Sequence, residues 1–337
     1  MIACEEKKII LGQFFTKEML WLKPQILEFI CSKKCDIAYD PFAGAGHLLK
    51  SAKKIGFEET IGLDIDSKLG WKTNDSLISI PHVNDKTMII TNPPYLSNYS
   101  ASRKKIMDKV EKYFNTTKYN NLYLLALERM LDAQELVVAI IPETFINSNF
   151  QQKNLLHSIT ILEENPFDDT DTPIVVACFD GIYKDLSKVK VFKNDRLIND
   201  LNSIENLRLS PLNTIKMKFN SPNGWLAIRC VDTTNPKNML RFDFKENIKY
   251  NWDKRIKDSS RLLTLVDINI SDANKTSFIN ECNKILRKLR TDSGDIILSP
   301  FKGNMRNGTR RRRLDFKTCR AIIEKAYNNT IGEKQHG

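Results

Sequence analysis

The sequence predicts an α/β fold with a mostly parallel sheet and helices on both faces, followed by a C-terminal α+β domain. Three observations support this. Short apolar segments alternate with helical patterns through the first 180 residues, the alternation ends after about residue 181, and the charge balance changes at the same place. We therefore predict one domain over residues 1–185 and a basic domain over residues 186–337.

The alternating segments have the lengths and patterns of strands and helices. Continuous apolar segments of four to eight residues indicate strands that are buried on both faces. Apolar residues at helical spacing indicate helices, and Gly56 marks the end of the first one. In chain order we predict a strand at 36–39, a helix at 48–54, strands at 60–66 and 87–90, a helix at 121–134, strands at 136–141 and 172–179, and basic helices at 282–290 and 317–327.

The composition excludes several classes of protein. The chain of 337 residues is 41% hydrophobic, which is enough for a large core and argues against disorder. No apolar run reaches the ~20 residues that span a bilayer, and the N-terminus lacks the pattern of a signal peptide, so we expect a cytoplasmic protein without membrane contact. We also expect a monomer. Cys31 and Cys35 form the one close pair among seven scattered cysteines, and there are four histidines. We therefore predict no metal site.

The two halves differ in charge. Residues 1–180 contain 20 Lys+Arg and 24 Asp+Glu, a net charge of −4, whereas residues 181–337 contain 32 and 17, a net charge of +15. This asymmetry indicates chemistry in the first half and a surface for a polyanion in the second. A soluble basic enzyme without a nucleic-acid partner is the alternative explanation of the charge.

A glycine-containing turn follows the first predicted strand, in the segment Phe42-Ala43-Gly44-Ala45-Gly46. Ligands of open α/β sheets bind beyond the carboxyl ends of the strands, and the glycines allow the backbone to approach a ligand closely. Asp64 ends the next strand, where its carboxylate could accept hydrogen bonds from two ribose hydroxyls, and Asp75 could accept one from an adenine amino group. A dinucleotide oxidoreductase would need a third glycine, but position 49 is leucine.

The segment Asn92-Pro93-Pro94-Tyr95 follows the third predicted strand. Its two prolines stiffen the turn and leave carbonyl groups free to accept hydrogen bonds. The Asn92 side-chain oxygen and the Pro93 carbonyl could accept both hydrogens of a planar amino group. This would localise the lone pair on its nitrogen for attack on a methyl donor, while Tyr95 offers a flat face to a base.

In order and content these segments resemble the gamma class of N6-adenine DNA methyltransferases of restriction–modification systems. That family also has a leading segment like Gly-Gln-Phe-Phe-Thr at residues 12–16, and residues 121–123 and 141–145 resemble later family segments. The resemblance covers residues 10–180. It implies a Rossmann-like methyltransferase fold, S-adenosylmethionine as cofactor, double-stranded DNA as substrate with the target base flipped out, and a cognate restriction endonuclease as a possible partner.

The resemblance and the patterns together give a set of candidate residues. The catalytic candidates are Asn92, Pro93, Pro94 and Tyr95, and the cofactor candidates are Thr16, Phe42, Ala43, Gly44, Gly46, Asp64, Asp75 and Asn92. Tyr95 and Phe167 are the candidates for base stacking. The family usually has an aromatic residue just before residue 172, where this chain has Asp171, so Phe167 could equally belong to the core.

A basic segment near the C-terminus provides the candidates for contacts with DNA. Its flexible Gly/Asn loop and the run of arginines after it would suit phosphate contacts, which give salt-sensitive affinity. A solvated surface patch is the alternative. The candidates are Lys302, Arg306, Arg310, Arg311, Arg312 and Arg313.

Three other functions remain open. An amino-group methyltransferase could act on RNA adenine or on a glutamine amide of a protein, since a glutamine-modifying enzyme also uses an Asn-Pro-Pro-Tyr loop. The glutamine-modifying enzyme would not need the basic second half. A non-catalytic DNA-binding protein with a relic fold is disfavoured by the intact cofactor and catalytic segments.

Overall fold

The computed structural model describes residues 19–164, 166, 172–252, 257 and 260–331. The chain divides into two compact units, Met1–Asn202 and Ser203–Gly337. No helix within the described ranges combines the length and apolar character that a bilayer crossing requires.

The first unit is built on one nine-stranded sheet. Its strands are β1 (Ile37–Asp40), β2 (Glu59–Asp64), β3 (Lys72–Thr73), β4 (Thr87–Thr91), β5 (Leu136–Pro142), β6 (Leu156–Leu162), β7 (Ile174–Asp180), β8 (Lys190–Lys193) and β9 (Arg196–Asp200). They lie in the order β3-β2-β1-β4-β5-β7-β6-β8-β9. Strands β1 to β5 are parallel to one another, whereas β7 is antiparallel to both β5 and β6. The predicted α/β class with a mostly parallel sheet is confirmed.

The helices of this unit connect the strands. Within the described part of the unit they are α1 (Pro24–Ser32), α2 (His47–Ile55), α3 (Asn98–Arg103), α4 (Met107–Phe114) and α5 (Leu122–Ala133), and α6 (Leu201–Asn206) spans the boundary between the units. Helices α1 and α2 pack on Ala38, Met88 and Val138 of the sheet. The alternate residues of these strands face the other side. Since right-handed connections lead from β1 through α2 to β2 and from β4 through α5 to β5 in opposite directions along the sheet, α2 and α5 cover opposite faces.

Each predicted element has a counterpart in the structure. In the first unit, however, helices α1, α3, α4 and α6 and strands β3, β6, β8 and β9 were not predicted, and the apolar segment predicted at 172–179 is the antiparallel strand β7. A strand buried on both faces has the same continuous apolar pattern in either direction, so its direction could not be inferred from the pattern. The unit boundary lies after Asn202 rather than after residue 185, because β8 pairs with β6 and β9 pairs with β8.

The second unit is an α+β structure. A four-stranded antiparallel sheet contains β10 (Met217–Phe219), β11 (Leu226–Arg229), β12 (Arg241–Phe244) and β13 (Leu263–Ile268) in the order β10-β13-β11-β12. Strands β14 (Ser299–Asn304) and β15 (Arg310–Arg313) form a hairpin, and the helices among the described residues of this unit are α7 (Asp272–Asp292) and α8 (Phe316–Thr330). Phe242, Phe278 and Ile322 belong to the core that joins the sheet to these two helices.

A buried carboxylate connects three elements of the second unit. Asp232 is fully buried, and its Oδ1 and Oδ2 accept hydrogen bonds from both Nη atoms of Arg290 at 3.0 Å. It also accepts from the backbone N–H groups of Leu240 at 2.9 Å and Arg312 at 3.0 Å. Arg290 in turn donates from Nε to Asp295 at 2.6 Å. The end of α7, strand β15 and the segment after β11 are therefore held by one network of charged hydrogen bonds.

We predict that Arg290→Met destabilises the protein by about 3–5 kcal/mol, because it leaves the buried Asp232 carboxylate without its charged partner. Urea-induced unfolding followed by circular dichroism measures the change. Lys288→Met on the same helix is the matched control, since Lys288 forms an exposed ion pair with Asp292 and should cost less than about 1 kcal/mol. Equal losses for the two variants would contradict the prediction.

Candidate active site

Two loops meet at the carboxyl edge of the parallel strands. One follows β1 and contains the glycines, and the other follows β4 and contains residues 92–95. Because β1 and β4 are neighbours and the chain leaves them in opposite directions, the two loops flank the crevice in which open α/β sheets bind ligands. One hydrogen bond links the strand ends directly, from the Thr91 hydroxyl to Asp40 Oδ1 at 2.5 Å.

Asp40 is the buried anchor of this edge. Its side chain is almost fully buried, and Oδ1 also accepts from the backbone N–H of Phe42 at 3.0 Å. Burial, together with a smaller contribution from the nearby Asp64 carboxylate, raises the pKa of this carboxyl group to about 7, although the hydrogen bonds from Thr91 and Phe42 act in the opposite direction. One buried group therefore orients the start of the glycine loop and the start of the Asn-Pro-Pro-Tyr loop.

The glycine loop is held by Asp64 at the end of β2. Asp64 Oδ2 accepts from the Gly44 N–H at 2.8 Å, and Oδ1 accepts from the Asp66 N–H at 2.9 Å. Gly44 and Gly46 have φ values of 50° and 76°, which a residue with a side chain rarely adopts. A carboxylate has about four acceptor positions, so Asp64 retains the capacity to bind hydroxyl groups as well.

Trp71 supports the same loop, although no sequence pattern indicated a role for it. Its Nε1 donates to the Gly44 carbonyl at 2.8 Å, and its ring lies against Gly46 and Gly62. A Cβ atom on Gly46 would lie 2.8 Å from the ring, closer than real Cβ contacts. The absence of side chains at Gly46 and Gly62 thus leaves room for the Trp71 ring.

A cleft of about 280 Å³ opens at this edge. It is lined by charged and polar groups from three loops together with apolar surface, including Ile65, whose exposed fraction is 60%. This mixture of apolar walls and a few convergent polar groups is typical of small-molecule sites. The lining residues are Pro41, Phe42, Asp64, Ile65, Asn74, Asp75, Ser76, Leu77, Asn92, Pro94 and Tyr113.

Helix α4 reaches Asp75 from across the cleft. Asp75 Oδ2 accepts from the Tyr113 hydroxyl at 2.8 Å and from Lys112 Nζ at 3.0 Å. Burial raises the pKa of Tyr113, and its hydrogen bond to Asp75 acts in the same direction. No hydrogen bond from residues that the structure describes reaches Oδ1, so this oxygen can accept one from a ligand. Sequence reasoning missed Tyr113 because it lies 38 positions from Asp75 on a separate helix.

The Asn-Pro-Pro-Tyr loop borders the other side of the cleft. Asn92 is partly exposed and Pro93 is buried. The Tyr95 hydroxyl contacts Asn92 Oδ1 and lies 2.8 Å from the carbonyl of Ile140, so one proton serves two acceptors. The ring of Tyr95 is partly buried against the core. In this conformation the Asn92 side chain is thus oriented by Tyr95.

The structure brings together many of the predicted residues of the first unit. Phe42, Asp64, Asp75, Asn92 and Pro94 line the cleft. The glycine loop beside it contains Ala43, Gly44 and Gly46, and the buried Ala43 donates its N–H to Leu63. The predicted cofactor residue Thr16 and the predicted stacking residue Phe167 lie outside the described residues.

The predicted DNA-binding arginines need a correction. Arg310 and Arg312 lie in β15 and are buried, with exposed fractions of 6% and 0%, so they are not available to a phosphate backbone. The strand places alternate side chains inward. Arg311 and Arg313 are half-buried, and Arg311 lies over the ring of Phe301 at 4.8 Å. Lys302 and Arg306, in the hairpin, are exposed.

Comparison with known proteins identifies one matching family model. Residues 47–169 match the model described as Eco57I restriction-modification methylase. The matched range begins at the first residue of α2 and includes Asp64, Asp75 and the Asn-Pro-Pro-Tyr loop. No curated protein matches the chain.

Several solved structures match part of this chain at low identity. They include a type I restriction-modification system methyltransferase subunit from Streptococcus thermophilus, with 16% identity, a TM-score of 0.38 and coverage of 57% of this chain and 52% of that one. A putative class I S-adenosylmethionine-dependent methyltransferase from Listeria monocytogenes has 14% identity, a TM-score of 0.38 and coverage of 58% and 74%. A putative RNA methyltransferase from Pyrococcus horikoshii has 15% identity, a TM-score of 0.31 and coverage of 54% and 100%. This chain thus spans about half of the Streptococcus protein.

We predict that Asp40→Asn flattens the pH dependence of stability between about pH 4 and pH 7. The folded protein holds the Asp40 proton up to about pH 7, whereas the unfolded chain releases it near pH 4, so this group costs stability as the pH rises between these values. An asparagine oxygen can still accept from Thr91 and Phe42.

Urea unfolding of both proteins at intervals from pH 4.5 to 8 measures the effect. As the pH rises from about 4 to 7, the free energy of unfolding of the wild type should fall more steeply than that of the variant, by up to about 1.4 kcal/mol per pH unit. Parallel stability curves for the two proteins would contradict the prediction.

Proposed function

We propose that this protein is a site-specific methyltransferase that transfers a methyl group from S-adenosylmethionine to the N6 amino group of adenine in double-stranded DNA, as the modification enzyme of a restriction–modification system. The observation that carries this proposal is the single cleft shared by Asp64, Asp75 and Asn92. Two carboxylates suited to a nucleoside thereby lie beside a loop suited to an amino group.

The residues of the cleft fit S-adenosylmethionine by their chemistry. Asp64 retains acceptor capacity for the two ribose hydroxyls, and Asp75 Oδ1 can accept a hydrogen from the adenine amino group of the cofactor. Ile65, Leu77 and Pro94 provide apolar surface for a flat ring. Gly44 and Gly46 bring backbone without side chains to the edge of the cleft. The match to a restriction-modification methylase model over residues 47–169 supports the same cofactor.

When bound, the cofactor supplies an electrophilic methyl group, and the protein has to position the nucleophile. The lone pair of an aromatic amine is delocalised into the ring, which makes it a poor nucleophile. In the proposed mechanism Asn92 Oδ1 and the Pro93 carbonyl accept the two amino hydrogens and favour a pyramidal nitrogen. Tyr95 orients Asn92 through its hydroxyl in the structure, and we propose that it rotates to stack on the flipped adenine.

Duplex DNA as the substrate rests on the second half of the chain and on the family match. The second half has the net charge of +15, and the matching family model is a restriction-modification methylase. Since Arg310 and Arg312 are buried, the proposed phosphate contacts of the second unit are reduced to Lys302, Arg306 and the half-buried Arg311 and Arg313.

We expect tritiated S-adenosylmethionine to label duplex DNA at N6-methyladenine when the purified protein is supplied with genomic DNA. Asn92→Ala should lower transfer by about 100-fold or more, because it removes one of the two acceptors for the amino group. Calorimetry should show that this variant still binds the cofactor. Asn115→Ala, at an exposed asparagine outside the cleft, is the matched control.

The same assay discriminates among the substrates. Label in RNA or in a glutamine of a protein, with none in duplex DNA, would overturn the assignment of the substrate and retain the methyl-transfer chemistry. Wild-type turnover by Asn92→Ala would overturn the proposed mechanism.

We predict that Tyr113→Phe weakens binding of S-adenosylhomocysteine by about three- to tenfold, because the Asp75 carboxylate loses one of the two donors that orient it. The variant should also discriminate less between this ligand and its hypoxanthine analogue, which lacks the amino group. Isothermal titration calorimetry measures both affinities. Tyr119→Phe, at a buried tyrosine outside the cleft lining, should bind both ligands like the wild type, and a Tyr113→Phe variant that does so as well would refute the assigned role.

A further inference from the structure

We propose that the catalytic unit has its own binding surface for DNA phosphates, formed by Tyr99, Arg103, Lys104 and Lys105 and named here the α3 surface. It consists of helix α3 and the two residues that follow it. This inference rests on the proposed function, because it takes the partner to be the duplex DNA that contains the target base.

Basic residues are concentrated in this part of an otherwise acidic half. Residues 98–112 contain five of the 20 Lys+Arg of residues 1–180, with only two acidic residues among them. The half as a whole has a net charge of −4. The segment therefore forms a local positive region in a unit whose overall charge would repel a polyanion.

The charges of the α3 surface are available to a partner. Arg103, Lys104 and Lys105 are all exposed. Throughout the part of the chain that the structure describes, no ion pair or side-chain hydrogen bond involves these three residues. Lys112 in the same segment is different, because it pairs with Asp75 at 3.0 Å. Three adjacent unpaired cations on a surface are suited to bind phosphate oxygens and to displace counterions.

The α3 surface lies at the same edge of the sheet as the cleft. Helix α3 begins three residues after Tyr95, and a chain of three residues spans at most about 11 Å. Five further residues of helix add about 8 Å, so the Cα of Arg103 lies within about 20 Å of that of Tyr95. This length corresponds to about six base-pair steps, so phosphates near a base held at Asn92 would be within reach.

The segment is held at both ends. The Asn98 N–H donates to the Asn120 carbonyl at 3.0 Å, and the Ser97 hydroxyl caps α3 by accepting from the Ser100 N–H at 3.1 Å. Beyond the basic turn, Tyr113 of α4 is bonded to Asp75 in the cleft. The α3 surface is therefore preorganised between the Asn-Pro-Pro-Tyr loop and the cleft, which reduces the entropy cost of binding.

An exposed aromatic ring completes the surface. Tyr99 is 76% exposed, on the same short helix as Arg103. A single exposed aromatic side chain is common on proteins. Next to unpaired cations, however, it offers a stacking or sugar contact of the type that nucleic-acid-binding proteins use.

The test compares two triple variants of the full chain with the same change in charge. The first is Arg103→Gln, Lys104→Gln and Lys105→Gln. The control is Lys34→Gln, Lys188→Gln and Lys190→Gln, three exposed positions at the opposite edge of the sheet. Lys34 precedes β1, Lys188 lies two residues before β8, and Lys190 is the first residue of β8. Because β8 runs in the same direction as β5, all three lie at the amino edge of the parallel strands. Binding to a labelled duplex is measured by fluorescence anisotropy over a range of salt concentrations.

We expect the α3 triple variant to bind DNA at least about tenfold more weakly near 0.1 M salt, and its log–log salt slope to be less steep by up to about 2.7. The control should retain the wild-type slope within about one unit. An α3 variant with the wild-type slope, or two variants with equal losses, would overturn the proposal. Circular dichroism establishes that both variants are folded.

Tyr99→Ala tests the aromatic component. Its control is Tyr183→Ala, because Tyr183 is 77% exposed and follows β7, at the amino edge of β5. Tyr99→Ala should weaken binding by about fivefold or more, and Tyr183→Ala should have little effect. Equal affinities of the two variants would exclude Tyr99 from the surface.

The α3 surface and the proposed function can be refuted independently. If the wild type neither binds nor methylates duplex DNA, the proposed function fails. If the wild type methylates DNA but the α3 triple variant binds it with the wild-type affinity and salt slope, the α3 surface alone is refuted.

Discussion

The hydrogen bond between Thr91 and the buried Asp40 is the interaction on which the geometry of the cleft depends. It joins the ends of β1 and β4, the two central strands from which the chain leaves in opposite directions. Asp40 also fixes the backbone of Phe42, at the start of the glycine loop. The positions of Asp64 and Asn92 relative to each other therefore depend on a group that faces neither cleft nor solvent.

This arrangement has an energetic cost that a purely structural core would avoid. Burial raises the pKa of Asp40 to about 7, so below this pH the folded protein holds a proton that the unfolded chain releases. This difference in proton binding lowers the stability of the fold as the pH approaches 7. A threonine or an asparagine could link the strands without a charge. The left-handed backbones of Gly44 and Gly46 add a second constraint, because residues with side chains rarely adopt them. Departures from optimal packing and charge at one edge of a sheet are typical of functional sites.

The parts of the site that could be predicted from the sequence are those that parallel topology brings together. Phe42, Asp64 and Asn92 each lie at or just after the end of a predicted strand, and consecutive parallel strands end at one edge, so their proximity follows from the pattern alone. Asp75 joins them because it follows β3, a short strand that the pattern did not predict. Tyr113 and Trp71 do not follow strands, and their contacts depend on how α4 and the segment before β3 fold back. The direction of β7 could not be predicted either. A strand buried on both faces has the same continuous apolar pattern whether it is parallel or antiparallel to its neighbours.

The distribution of charge leads to a related conclusion about recognition. Counting residues assigns the positive charge to the second half, yet Arg310 and Arg312 are buried there and Arg290 neutralises Asp232 within the core. The acidic half, in contrast, exposes Arg103, Lys104 and Lys105 without partners among the described side chains. A phosphate responds to cations that are exposed and unpaired, not to the composition of a domain, since a buried ion pair presents little net field. The net charge of a half therefore overstates its share of the proposed DNA binding, to which a short segment after the Asn-Pro-Pro-Tyr loop can contribute more than its few residues suggest.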